Sequence, residues 1–186
     1  MSHIIIIYES DYGNTKKMAE AVAAGAKSVT GTTVSLKQAG DVTADDMIKS
    51  DGVIIGSPVH MGSIDHRVKT FIDKICSGLW MQDRMIGKVG AVFTTGAGYG
   101  SAGGGTELTM LSLLNNIAEL GMIIVPLPKK TEGYEYGGLQ WGPYGRSAGL
   151  HMEQDGIKDE SLTVARHHGA NVARIAAALK GKELFA

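Results

Sequence analysis

Apolar positions along the chain follow two alternating patterns. Short, nearly continuous apolar runs at residues 3–8, 52–56, 89–95 and 122–125 suit strands of a parallel sheet covered on both faces. Residues 33–37 alternate polar and apolar side chains and read as an edge strand. Between these runs lie segments of helical periodicity, at about 14–28, 43–50, 65–80, 105–120 and 160–180. The third is the clearest: Val68, Phe71, Ile72, Ile75 and Leu79 recur at i, i+3, i+4, i+7 and i+11, one apolar stripe. In the last, Leu162, Ala165, Val172, Ala176 and Leu179 share a face. Strands alternating with helices predict an α/β fold with a doubly wound, five-stranded parallel sheet and right-handed crossovers. With no internal repeat and no linker-like stretch, residues 1–186 are expected to form one domain.

In such sheets ligands bind at the carboxyl ends of the strands, and there the chain carries its unusual residues. The first strand runs into Ser10, Asp11, Tyr12, Gly13, Asn14 and Thr15, then straight into a helix. A strand feeding a hydroxyl-rich loop that opens a helix aims backbone N–H groups and a partial positive charge at one spot, which suits a phosphate. The loop has neither the Gly-x-x-x-x-Gly-Lys-Ser/Thr spacing nor a dinucleotide fingerprint. A phosphate held by hydroxyls and amides alone fits a flavin mononucleotide (FMN) site. The competing reading is an ordinary strand–turn–helix with an Asn cap. The third strand runs into Ser57, Pro58, Val59, His60, Met61, Gly62 and Ser63, and the fourth into Thr94, Thr95, Gly96, Ala97, Gly98 and Tyr99, followed by a glycine-rich stretch to Gly105. Three such loops at one sheet edge predict a single crevice whose backbone can approach a flat ligand closely.

Residues 127–159 carry no clear helix or strand, yet they hold Tyr134, Tyr136, Trp141 and Tyr144. Aromatic content argues against disorder. An ordered flap beside the crevice and a subunit contact both fit.

Composition narrows the classes. The net charge is −1, with no basic stripe of the kind nucleic acid needs and no strongly acidic surface for docking on basic redox partners. No apolar run approaches the roughly 20 residues of a membrane helix, and no secretory signal is evident, so a cytoplasmic location is expected. Cys76 is the lone cysteine and sits at helical spacing with Ile72 and Leu79, which makes packing its expected role. The six histidines show no metal-ligand spacing, so no metal site is expected. Gly98, Gly100 and Gly103 match Gly-x-Gly-x-x-Gly, but the following strand ends in Pro126 without the acidic residue that a nicotinamide dinucleotide site uses. A phosphoacceptor domain would need an aspartate closing the third strand, where Ser57 and Pro58 stand, and no Gly-x-Ser-x-Gly elbow marks a hydrolase.

Several runs together resemble the WrbA-type NAD(P)H:quinone oxidoreductases, an FMN-binding family of flavodoxin-like fold. They are Tyr12-Gly13-Asn14, Gly56-Ser57-Pro58, Ser77-Gly78-Leu79-Trp80, Gly103-Gly104-Gly105-Thr106-Glu107, Gly121 to Pro126, and Gly142-Pro143-Tyr144-Gly145. The resemblance implies strand order 2-1-3-4-5, FMN at the sheet's carboxyl edge, a homotetramer, and hydride transfer from NADH or NADPH through the flavin to a quinone. It implies that Ser10 to Thr15 hold the phosphate, that Pro58 to Ser63 and Thr94 to Tyr99 line the two sides of the ring system, that Trp80 reaches a neighbouring subunit's site, and that Tyr144 lies near the substrate. Three positions depart from the family. His60 replaces an arginine near the flavin pyrimidine, Leu120 replaces a histidine, and the fourth-strand loop is about four residues longer.

Two classes of function remain open on these grounds, an FMN-dependent NAD(P)H:quinone reductase and a flavodoxin-type one-electron carrier. Carriers dock through an acidic face. The near-neutral charge and the aromatic 134–144 segment favour the enzyme.

Overall fold

The computed structural model describes residues 1–185. The chain alternates strands and helices: β1 (Ser2–Tyr8), α1 (Asn14–Lys27), β2 (Thr32–Gln38), α2 (Ala44–Lys49), β3 (Gly52–His60), β4 (Ser63–Ile64), α3 (His66–Phe71), α4 (Ser77–Trp80), β5 (Val89–Gly96), α5 (Thr106–Glu119), β6 (Ile123–Ile124), α6 (Tyr134–Gly137), β7 (Gly138–Leu139), β8 (Gly142–Arg146) and α7 (Asp159–Leu179). A π-helical turn, Ile72–Cys76, joins α3 to α4. The stripe expected over 65–80 is therefore one rod with a widened turn in its middle, which shifts the phase of Leu79 and Trp80 relative to Val68.

The parallel core β2-β1-β3-β5 has the expected order. Alternate side chains serve opposite layers. Ile5, Ile7, Val53, Ile55 and Val92 pack with residues of α3 and α5, and Ile4, Ile6, Ile54, Ala91 and Phe93 pack with α1 and α7.

The expected fifth strand is split, and among the described residues the sheet has eight strands. Residues 123 and 124 pair with the start of β5, and Val125 N still donates to Gly90 O at 2.9 Å. Pro126 then has no N–H to give, and the ladder stops. The chain leaves through α6 and β7 and returns as β8, which pairs with Thr94, Thr95 and Gly96 at the far end of the same strand. The aromatic segment is thus ordered, and its last piece belongs to the sheet.

Helices α1 and α7 touch backbone to backbone. A Cβ added at Gly25 would overlap the carbonyl of Arg166, and one at Gly169 the carbonyl of Val22. Gly169→Ala is therefore expected to destabilise the protein by about 1–3 kcal/mol, the usual cost of overpacking, read as a lower urea midpoint at unchanged slope.

Candidate functional site

Three loops at the carboxyl edge, joined by a fourth, enclose a cavity of about 360 Å³, within the size range of about 300–1,000 Å³ usual for small-molecule sites. The first loop supplies Ser10, Asp11, Tyr12, Asn14 and Thr15, and the strand-three loop Pro58, Val59 and His60. Thr95, Gly96 and Ala97 come from the end of β5. The fourth wall, Ser147, Ala148, Met152, Gln154 and Gly156, follows β8. It was not visible in the sequence, because a glycine-rich return strand lacks the apolar run that marks the others.

Not every expected ligand-binding residue reaches the cavity. Gly13 makes the left-handed turn that starts α1, with φ 83°. Met61, Gly62 and Ser63 form the β3–β4 hairpin end, where Met61 is fully exposed and Gly62 lies against Gly105. Thr94 is buried inside the sheet, and Gly98 and Tyr99 lie beyond the lining, with Tyr99 exposed. Trp80 sits elsewhere in the chain, half exposed in a shallow hollow with Cys76, Asn116 and Leu120. Tyr144 packs against the α3–α5 core layer and does not line the cavity. Burial raises its phenol above the ordinary value, with Arg146 and Thr106 offsetting part of the effect, so the hydroxyl stays protonated at neutral pH. Burial pushes the Cys76 thiol up to about 12, which leaves it unreactive.

The phosphate-side geometry is specific. The α1 N-cap is Gly13, with no side-chain cap and no acidic residue in the first turn. The Asn-capped alternative is thereby displaced. The first-turn N–H groups are left without a side-chain acceptor, and Asn14 and Thr15 of that turn line the cavity. Ser10 Oγ is buried and has no hydrogen-bond partner among the described residues. Thr15 and Thr95 share one hydrogen bond between their hydroxyls at 2.6 Å. Whichever donates, the other keeps a proton for a ligand.

Beside this lies a charge cluster that sequence spacing did not reveal. Arg67 donates to both carboxylate oxygens of Asp65, at 3.0 and 2.8 Å. It also meets Asp11 at 2.8 Å and Glu9 at 3.4 Å. His60 Nδ1 lies 3.0 Å from Asp65 and its Nε2 3.5 Å from Asp11. Burial pushes Asp65 up, but the Arg67 hydrogen bonds and charge outweigh it and hold the carboxyl below its usual range. Hydrogen bonds to Asp65 hold the guanidinium above its ordinary value. Asp11, His60 and Asp65 bring ligand atoms within 4.8 Å of one another, a grouping that linear spacing did not suggest. Arg67 sets a single positive charge against the three carboxylates of Glu9, Asp11 and Asp65. Asp65 also accepts from Arg67 N and so caps α3, and the Arg67–Asp11 pair ties this segment to the first loop.

Residues 5–97 match the model of a family described as "Flavodoxin domain". The chain is 33% identical over 206 residues to an NAD(P)H dehydrogenase (quinone) of Azorhizobium caulinodans, covering 97% of this chain and 100% of that one. A flavodoxin of Aquifex aeolicus is 37% identical over 124 residues, covering 67% of this chain and about 64% of its own length. Among solved structures, a flavodoxin, WrbA-like protein from Agrobacterium tumefaciens superposes with a TM-score of 0.72 at 26% identity, over 97% of this chain and 100% of that one.

Proposed function

Because this chain belongs to the flavodoxin-domain family and aligns end to end with NAD(P)H dehydrogenases (quinone), we propose that it is an FMN-dependent oxidoreductase that moves a hydride from NADH or NADPH to a quinone. The observation that carries the cofactor assignment is the buried, unpartnered Ser10 hydroxyl beside the uncapped start of α1. A buried polar atom without a partner costs about 1–3 kcal/mol, and a phosphate oxygen would remove that cost.

Ser10, Thr15 and the first-turn N–H groups of α1 hold the phosphate. Pro58 and Val59 on one side, and Ala97, Ala148 and Met152 on the other, give apolar walls that orient a flat ring and exclude water from it. The Asp65–Arg67–Asp11 network keeps the first loop and the strand-three loop in register. When bound, FMN supplies the hydride chemistry, and the chain supplies position and electrostatics. Among the described residues no helix is long and apolar enough to cross a membrane. We assign the whole chain to one cytoplasmic FMN-binding unit.

The test is steady-state oxidation of NADH and NADPH by FMN-loaded protein, with and without a benzoquinone. Quinone-dependent turnover is expected. Reduction only through a separate reductase would replace this reading with that of a one-electron carrier.

Self-association belongs to the same reading. Trp80 and Met81 are adjacent exposed apolar residues at the end of α4, where a further copy of the chain could cover them. A tetramer is expected by light scattering of FMN-loaded protein at micromolar concentration; a monomer there would refute it.

A further inference from the structure

Arg146 ends β8 opposite Gly96, and no carboxylate is recorded at ion-pair distance from it among the described residues. Its guanidinium is instead ringed by backbone carbonyls. Nε donates to Ala148 O at 2.8 Å, Nη1 to Ala102 O at 3.3 Å, and Nη2 to Gly98 O and Gly100 O at 2.6 Å and to Gly149 O at 3.3 Å. The acceptors come from two loops. In the first, carbonyls at the alternate positions 98, 100 and 102 turn inward on the cation. The glycines permit this: Gly100 and Gly104 have φ of 66° and 63°, and a Cβ at Gly98 or Gly104 would strike the loop's own carbonyls. The Gly-x-Gly-x-x-Gly run therefore presents carbonyl oxygens to a cation rather than N–H groups to a phosphate.

Two more links join the same loops. Gly100 N donates to Leu150 O at 2.7 Å. The Tyr99 and His151 rings meet edge to face with centroids 5.8 Å apart. Both loops contribute to the cavity wall, through Ala97 on one side and Ala148, Met152 and Gln154 on the other. A glycine-rich loop left untied has many conformations to lose on binding. Fixing it beforehand raises affinity without a new ligand contact.

We propose that Arg146 is a positioning residue that locks the 97–105 and 147–156 loops into one preformed wall of the cavity, so that ligand affinity depends on a guanidinium that does not line the site. The effect on FMN rests on the cofactor reading above; the effect on loop order does not. The planar fork is required, because an ammonium offers only three donors from a single point and cannot span carbonyls of both loops.

Hydrogen exchange of the apoprotein, FMN titration by fluorescence quenching and thermal unfolding should be compared in wild type, Arg146→Ala and Arg146→Lys. Both variants are expected to exchange faster at 97–105 and 147–156 alone, to keep the wild-type melting transition, and to bind FMN about tenfold or more weakly. Unchanged exchange at the two loops overturns the proposal. So does full restoration by lysine, which would make charge and not geometry the cause, and so does loss of protection throughout the chain. If wild type itself fails to bind FMN, the cofactor reading falls while the exchange comparison still decides the clamp.

Discussion

Ser10→Ala is expected to weaken FMN binding about tenfold or more while leaving the apoprotein as stable as wild type, or slightly more stable. The two effects differ in sign because the hydroxyl is buried without a partner. Removing an unsatisfied polar atom relieves a desolvation cost in the empty site, whereas in the complex it deletes a charge-assisted hydrogen bond of about 1.5–3 kcal/mol. Thr15→Val removes a second hydroxyl, but it also breaks the bond to Thr95 and should lower apoprotein stability by about 1 kcal/mol. Fluorescence titration with FMN, paired with urea unfolding of the apoproteins, checks both. FMN affinity equal to wild type in both variants would remove the phosphate from this loop.

The second large effect is acid destabilisation through His168. This side chain on α7 is fully buried, and neither ring nitrogen has a partner among the described residues. Burial alone pulls its pKa down to about 4, against about 6.5 in an unfolded chain. The native state thus holds the neutral ring. As pH falls below about 6.5, the unfolded chain takes up a proton that the native chain refuses, and stability drops by about 1.4 kcal/mol per unit until the native ring also titrates. The total approaches about 3 kcal/mol by pH 4, a large share of the 5–15 kcal/mol typical of a domain. His168→Leu should flatten this loss at little cost near neutrality, since it replaces an unpartnered polar ring with an apolar side chain. The carboxylate contribution falls in a lower window. Asp46, held near 2 by Lys37 and Thr43, gives up its stabilisation only as pH drops from about 4 toward that value. Urea midpoints measured from pH 7 to pH 4.5 isolate the histidine, and parallel curves for wild type and His168→Leu would exclude it.

Much of the site was legible along the chain because it is built from contiguous loops. Ser10, Asp11, Tyr12, Asn14 and Thr15 are neighbours in sequence and line the cavity together, since a strand and a helix joined by a short loop leave few alternative paths. Pro58 and Ala97 followed from the same rule at the ends of β3 and β5. What spacing did not show has a cause of the same kind. Glu9, Asp65 and Arg67 meet only because β1 and β3 are adjacent and the β3–β4 hairpin folds back over their ends, so no spacing announces the cluster. Tyr144 was expected near the substrate, but the β8 register sets it opposite Thr94 and packs it on the α3–α5 layer. Trp80 was expected at a neighbouring subunit's site, and its place in a separate hollow of this chain leaves that expectation as it stood.

Hydrophobic periodicity and the placement of glycine and proline were enough to establish the layered α/β architecture, the parallel core order and the loop that opens α1, because each depends on interactions between residues close in sequence. The pairing of β8 with the far end of β5 and the carbonyl ring around Arg146 depended on contacts between segments far apart in sequence. Their partners are backbone groups, which every residue carries alike, so the side-chain pattern holds no mark of them until the sheet has set the register.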